Sequence, residues 1–216
     1  MSNTQSLMSE PTQRQQRRII ILISGGGSNM AAIVQAAKRD HWQQRLRAQV
    51  TAVVANKADA SGLTFAKAQG IHTAVLAHQA FDSREAFDQA LIKTIDELDP
   101  PTTGYAPALV VLAGFMRILT PAFVAHYQGR LLNIHPSLLP AFAGLHTHQR
   151  ALDMGCKFAG ASVHQVTAEL DHGELLAQAV VPVLPTDTAP TLAARVLTQE
   201  HLIYPQAIAQ WLQANA

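Results

Sequence analysis

Apolar residues fall along this chain in two rhythms, and the alternation between them outlines a fold. Residues 19–23 (IIILI) form an unbroken apolar run that stops at Ser24 and three glycines. Such a run predicts a strand buried on both faces, as in a parallel sheet. Beyond the glycines, Met30, Ile33, Val34 and Ala37 recur at the spacing of an amphipathic helix. A second run, 50–55, ends at Asn56; a helical stretch (63–68) closed by Gly70 and a short strand (73–76) follow. Asp82 and Glu85 read as a capping box opening a helix whose core face is Phe87, Leu91, Ile95 and Leu98. The prolines and Gly104 of DPPTTGYAP, 99–107, predict a surface loop. Residues 109–113 and 131–134 give two more buried strands. The strand–helix alternation predicts an α/β fold with a doubly wound, mainly parallel sheet.

The last third changes rhythm. Residues 161–166 and 175–183 are β-rich and separated by a tight DHGE turn, which predicts an antiparallel extension of the sheet near the C-terminus. A C-terminal helix carries Leu192, Val196, Ile203, Ile208 and Trp211. Residues 1–16 are polar, have no apolar signal core and read as a tail, leaving 17–216 as a single domain.

Composition narrows the function. The 216 residues are 48% hydrophobic and 14% charged, ample for a large core. A net charge of +1 with no cationic cluster argues against nucleic acid as a partner, because phosphate-backbone binding needs grouped cations. No apolar stretch approaches the ~20 residues of a membrane helix. Cys156 is the only cysteine, so a reducing, cytoplasmic setting is expected.

Two segments carry candidate chemistry. SGGGSN, 24–29, lies between a strand and a helix, where backbone amides and a helix N-terminus can surround one phosphate. It lacks the Gly-Lys-Ser/Thr of a P-loop, and Met30 stands where a dinucleotide fingerprint needs a third glycine. Its other reading is a tight turn with Ser28 as helix cap. In LLNIHPSLLP, 131–140, Asn133 and His135 are two apart, so a strand points both to one side before Pro136 forces an extended exit. An amide donor beside a group titrating near neutrality suits acyl transfer, where an oxyanion is stabilised and a proton moved. A structural histidine at a strand end is the alternative. Asp171, in the late turn, is a candidate carboxylate partner or an ordinary turn aspartate. His146 and His148 could form half of a metal site but lack further ligands.

With these motifs goes a resemblance. SGGGSN, NKADA (56–60), AFDSREAFD (80–88), VVLAGFMRILTPAFV (110–124), GRLLNIHPSLLPAFAGLHTH (129–148), SVH (162–164), ELD-x-G (169–173) and TQEHLIYP (198–205) make the chain similar to the phosphoribosylglycinamide formyltransferase family. These are folate-dependent enzymes of de novo purine synthesis with a Rossmann-like formyltransferase fold. The resemblance implies formyl transfer from 10-formyltetrahydrofolate, as co-substrate, to the amine of 5′-phosphoribosylglycinamide, with no metal. It implies a phosphate-binding half, about 17–107, and a folate and catalytic half, about 108–216. It assigns catalysis to Asn133, His135 and Asp171, the ribose phosphate to Gly27, Ser28 and Asn29, and the glycinamide end to Glu200. Folate would meet Arg84, Met116, Arg117, Ile118, Leu119 and Asn133, together with Thr167, Ala168, Glu169, Leu170 and Asp171. Partners would be these small molecules, not nucleic acid or membrane, and the enzyme would be a monomer or homodimer. Departures are His172, where many relatives have glycine, Leu197, where some carry a polar substrate contact, and a longer 99–107 stretch. Alternatives are another folate-dependent formyltransferase, a formyltetrahydrofolate hydrolase, or a non-catalytic phosphate-ligand binding module.

Overall fold

The computed structural model describes residues 15–216. The expectation of a tail over 1–16 therefore lies, for 1–14, outside the described residues, and Gln16 is already strand. The elements are β1 (Gln16–Ile23), α1 (Ser28–Arg39), α2 (Trp42–Arg45), β2 (Ala48–Ala55), α3 (Gly62–Ala68), β3 (His72–Val75), α4 (Arg84–Leu98), β4 (Tyr105–Leu112), α5 (Pro121–His126), β5 (Leu131–His135), α6 (Thr147–Asp153), β6 (Phe158–Gln165), β7 (Leu175–Pro182) and α7 (Ala189–Ala214). The seven strands form one sheet in the order β3-β2-β1-β4-β5-β6-β7. Pairing is parallel from β3 to β5 and antiparallel for β5–β6 and β6–β7, as the change of rhythm predicts.

The unbroken apolar runs are explained by cover on both faces. Ile19 to Ile23 are all fully buried, and they alternate between two cores. Ile19, Ile21 and Ile23 join the core under α1, α3 and α7, while Ile20 and Leu22 join the one under α4 and α5. Burying each such side chain contributes about 1.5–3 kcal/mol.

Three local expectations are corrected. Ser83, not Asp82, caps α4, its hydroxyl accepting from Ala86 N at 3.0 Å, and Glu85 lies within the first turn. Ser28 does not cap α1; Gly27 does, in the left-handed region at φ 67° with no side-chain bond, and Ser28 is the first helical residue. The 99–107 stretch is not all loop, because β4 begins at Tyr105. Pro107 is tolerated in a central strand because the β1–β4 register slips between Arg17 and Ile19, and β5 pairs with β4 only from Val110 onward.

Candidate active site

The site lies where β1, β4 and β5 end, the crevice expected to bind ligands in an open α/β sheet. Asn133 and His135 stand on one face of β5. The antiparallel register sets His164 opposite Asn133 and Ser162 opposite His135. His164 is 2% exposed, and its ring is fixed by two contacts. Nδ1 lies 2.9 Å from the Gln165 carbonyl, so it carries the proton, and Nε2 accepts from the Asn133 amide at 3.2 Å. Burial is the main cause lowering the His164 pKa, which favours this neutral form. The Asn133 side-chain NH2 is thereby turned toward His164.

His135, 6% exposed, sits between two acceptors. Nε2 is 3.0 Å from the Phe142 carbonyl, and Nδ1 is 3.5 Å from Asp171 Oδ2. Asp171 reaches the ring because the loop between β6 and β7 folds back over the sheet. Asp171 takes φ 56°, a conformation that aspartate tolerates better than most residues, and Phe142 also lies at φ 58°. The Asp171 carboxylate accepts from Gly144 N at 2.9 Å and has Oδ1 3.7 Å from His164 Nε2. Gly173 closes this loop, since a Cβ there would run into the Gln165 carbonyl oxygen.

The glycine loop completes the other side. Added Cβ atoms at Gly25 and Gly26 would meet nothing within 4 Å, so their backbone faces open space. Gly27 has the positive φ that needs glycine, and its Cβ would lie 2.9 Å from Met30 Cε. Gly62 N donates to Gly25 O at 3.1 Å and props the loop from α3. Asn29 turns inward: Nδ2 donates to Glu200 Oε2 at 2.6 Å, and its Oδ1 is buried without a partner. Glu200 is placed by Tyr204, one turn later on α7, whose hydroxyl donates to Leu112 O and Leu132 O at 2.9 and 3.1 Å. Burial raises the Glu200 pKa, with the Asn29 bond and nearby His135 acting against it.

Residues 114–120 leave β4 without regular structure and hold Met116 and Ile118 71% and 60% exposed. Arg117 rests its guanidinium 5.4 Å from the centre of the Phe87 ring, and Leu119 is half-buried against the α4 core. Arg84 opens α4 and lies 3.9 Å from Glu85. In the β6–β7 loop, Thr167 donates to the Glu169 carbonyl, Ala168 and Glu169 are exposed, and Leu170 is half-exposed. His146 precedes α6 in the left-handed region, and among the described residues no group of three His, Cys, Asp or Glu is placed to hold a metal.

Sequence reasoning did not single out His164 or Gly62. The signal for His164 was a polar residue inside an apolar strand run, which only the β5–β6 register makes meaningful. Gly62 carried no signal, because its partner is the glycine loop far away in sequence.

A mainly parallel sheet with polar residues at its strand ends and Asn133 and His135 side by side on β5 suits one class of protein, and residues 17–208 match it: the chain belongs to the formyl transferase family. Within it, the chain is similar to phosphoribosylglycinamide formyltransferases. It is 55% identical over 179 residues to that enzyme of Escherichia coli (strain K12), covering 83% of this chain and 79% of the relative. The crystal structure of phosphoribosylglycinamide formyltransferase from Brucella melitensis superposes with a TM-score of 0.81 at 50% identity, covering 92% of this chain and 96% of that one. The trifunctional purine biosynthetic protein adenosine-3 of Bos taurus is 42% identical over 161 residues, but the match spans only 15% of its length.

Proposed function

We propose that this chain transfers the formyl group of 10-formyltetrahydrofolate to the amine of 5′-phosphoribosylglycinamide, with Asn133, His135 and Asp171 as its catalytic residues. The observation that carries the site reading is the His135 ring held between the Phe142 carbonyl and the Asp171 carboxylate, beside the Asn133 amide. The amine nitrogen attacks the formyl carbon, and negative charge develops on the formyl oxygen. The second N–H of the Asn133 amide donates to that oxygen, joined by His135 Nε2–H once the ring exchanges the Phe142 carbonyl for the substrate, while Asp171 beside Nδ1 opposes the ring's positive charge. The carbon–N10 bond then breaks, and the proton lost by the amine ends on N10, relayed through the Asp171–His135 pair. Atoms balance without a redox step.

The two substrates fit different walls. The open backbone of Gly25 and Gly26, with Gly27, Ser28 and Asn29 at the α1 N-terminus, suits the ribose phosphate. Glu200, through its bond to Asn29, faces the glycinamide end. Exposed Met116, Ile118 and Leu170 form apolar surface for the flat donor ring, with Arg84 and Arg117 as cations for its carboxylates.

Replacing His135 or Asn133 by alanine tests the site. Each variant should retain cooperative unfolding yet lose ~10²–10³ in turnover, the usual effect of removing one oxyanion donor. Near-wild-type turnover in a folded His135→Ala protein would overturn the assignment.

A further inference from the structure

We propose that Ser24 and Asp88 are positioning residues for the formyl donor, clamping the irregular 114–120 segment from two sides. This rests on the reading above, in which that segment meets the donor. The segment has few regular backbone partners and displays Met116 and Ile118 to solvent, an arrangement that hydrophobic collapse would otherwise fold inward. Two buried side chains from other elements hold it. Met116 N donates to Ser24 Oγ at 2.7 Å, and Ser24 N donates back to the Gly114 carbonyl at 3.2 Å. At the other end, Thr120 N donates to Asp88 Oδ2 at 2.6 Å. Ser24 is 6% exposed and Asp88 2%.

Asp88 is an expensive choice for a structural contact. Its Oδ1 is buried without a partner, whereas a neutral side chain would hold the same amide with less desolvation. The carboxylate gives a short, charge-assisted bond. Arg117 of the clamped segment packs over Phe87, the residue before Asp88, so α4 touches the segment at a second point. Arg84 lies one turn earlier on the same helix, so α4 sets Arg84 and the segment in one frame.

Ser24 gives the sharper consequence. By sequence it belongs to the glycine loop, and its loss would be expected to weaken the phosphorylated substrate. The geometry assigns its hydroxyl to the opposite substrate. The glycine loop keeps its own restraints: Gly62 N to Gly25 O at 3.1 Å, Ala31 N to Gly27 O at 2.8 Å, and Asn29 to Glu200 at 2.6 Å.

The test varies both substrates in steady-state kinetics for the wild type, Ser24→Ala, Ser24→Thr and Asp88→Asn, with Ser28→Ala as a phosphate-side comparison. Tetrahydrofolate binding by calorimetry and thermal unfolding accompany each. Ser24→Ala should raise the KM for the formyl donor on the order of tenfold, the scale of one buried hydrogen bond, with kcat and the amine KM within about twofold. Ser24→Thr should restore the donor KM, Asp88→Asn should raise it severalfold, and Ser28→Ala should move the amine KM instead. A Ser24→Ala protein that is folded and shifts the amine KM as much as the donor KM, or shifts neither, overturns the inference. If the wild type shows no transfer, the functional reading fails. The clamp then stands only if Ser24→Ala weakens tetrahydrofolate binding and Ser28→Ala does not, and falls otherwise.

Discussion

His135 shows how a few neighbours give one side chain its chemistry. Its ring meets an acceptor at each nitrogen, the Phe142 carbonyl at 3.0 Å and the Asp171 carboxylate at 3.5 Å. Glu200 makes a second case, in which burial beside Asn29 costs stability. Its pKa is raised chiefly by burial, so its neutral form is the one that favours folding. The stability this protonation contributes is fully present below the ordinary value of 4.5 and is lost as pH rises through the raised folded value. At neutral pH the buried charge therefore opposes folding. Glu200→Gln should raise the melting temperature at pH 7.5 by roughly 2–4 °C, the scale of ~1 kcal/mol in a domain this size. The gain should vanish near pH 4, and the amine KM should rise. A melting temperature that falls at pH 7.5 would contradict this account of Glu200.

At the scale of elements, strands were the most legible feature because burial on both faces leaves continuous apolar runs. Boundaries and caps were less so. Ser83 and Asp82 are adjacent and chemically alike as caps, and only the chain's direction into α4 separates them. The 99–107 stretch looked like an insertion, yet Asp99 ties it down: Oδ1 pairs with Arg18 at 2.9 Å and Oδ2 accepts from Ala108 N at 2.6 Å. The site divides in the same way. Asn133 and His135 were legible from strand spacing, which is local. Bringing Asp171 to His135 requires the β6–β7 loop to fold back over β5, which no local pattern encodes; the family resemblance supplied it. The position of that loop is open to test. Gly173→Ala would push a methyl group into the Gln165 carbonyl and displace the segment carrying Asp171. Because a displacement of about 1 Å at a catalytic group can cost ~10²-fold, kcat should fall at least tenfold in a protein that still folds. Full turnover with unchanged stability would mean that the loop's position is not needed.

For the whole molecule, histidines withdrawn from water set the response of stability to pH. His148, His164 and His201 all have pKa values lowered mainly by burial. Each stays neutral in the folded chain at a pH where the unfolded chain takes up a proton. Their contribution is present above about pH 6.5 and is lost as pH falls below it, toward and through the lowered folded values. Glu200 works in the opposite direction but is one group against three, and Asp187, held low by Arg195, adds its loss only below 3.8. The urea midpoint should therefore fall between pH 7.5 and pH 5.5, and a midpoint that rises across this range would contradict the neutral state of these buried and half-buried histidines. The two cores and the single sheet bring the glycine loop after β1 and the Asn133–His135 pair of β5 to the same end of the strands, which is what a two-substrate transfer requires. The most direct measurement follows tetrahydrofolate release from 10-formyltetrahydrofolate while 5′-phosphoribosylglycinamide is titrated. Release should be negligible without the amine and saturate as it is added, with one formylated amine formed per tetrahydrofolate. Release that is independent of the amine, or none at all, would contradict the account.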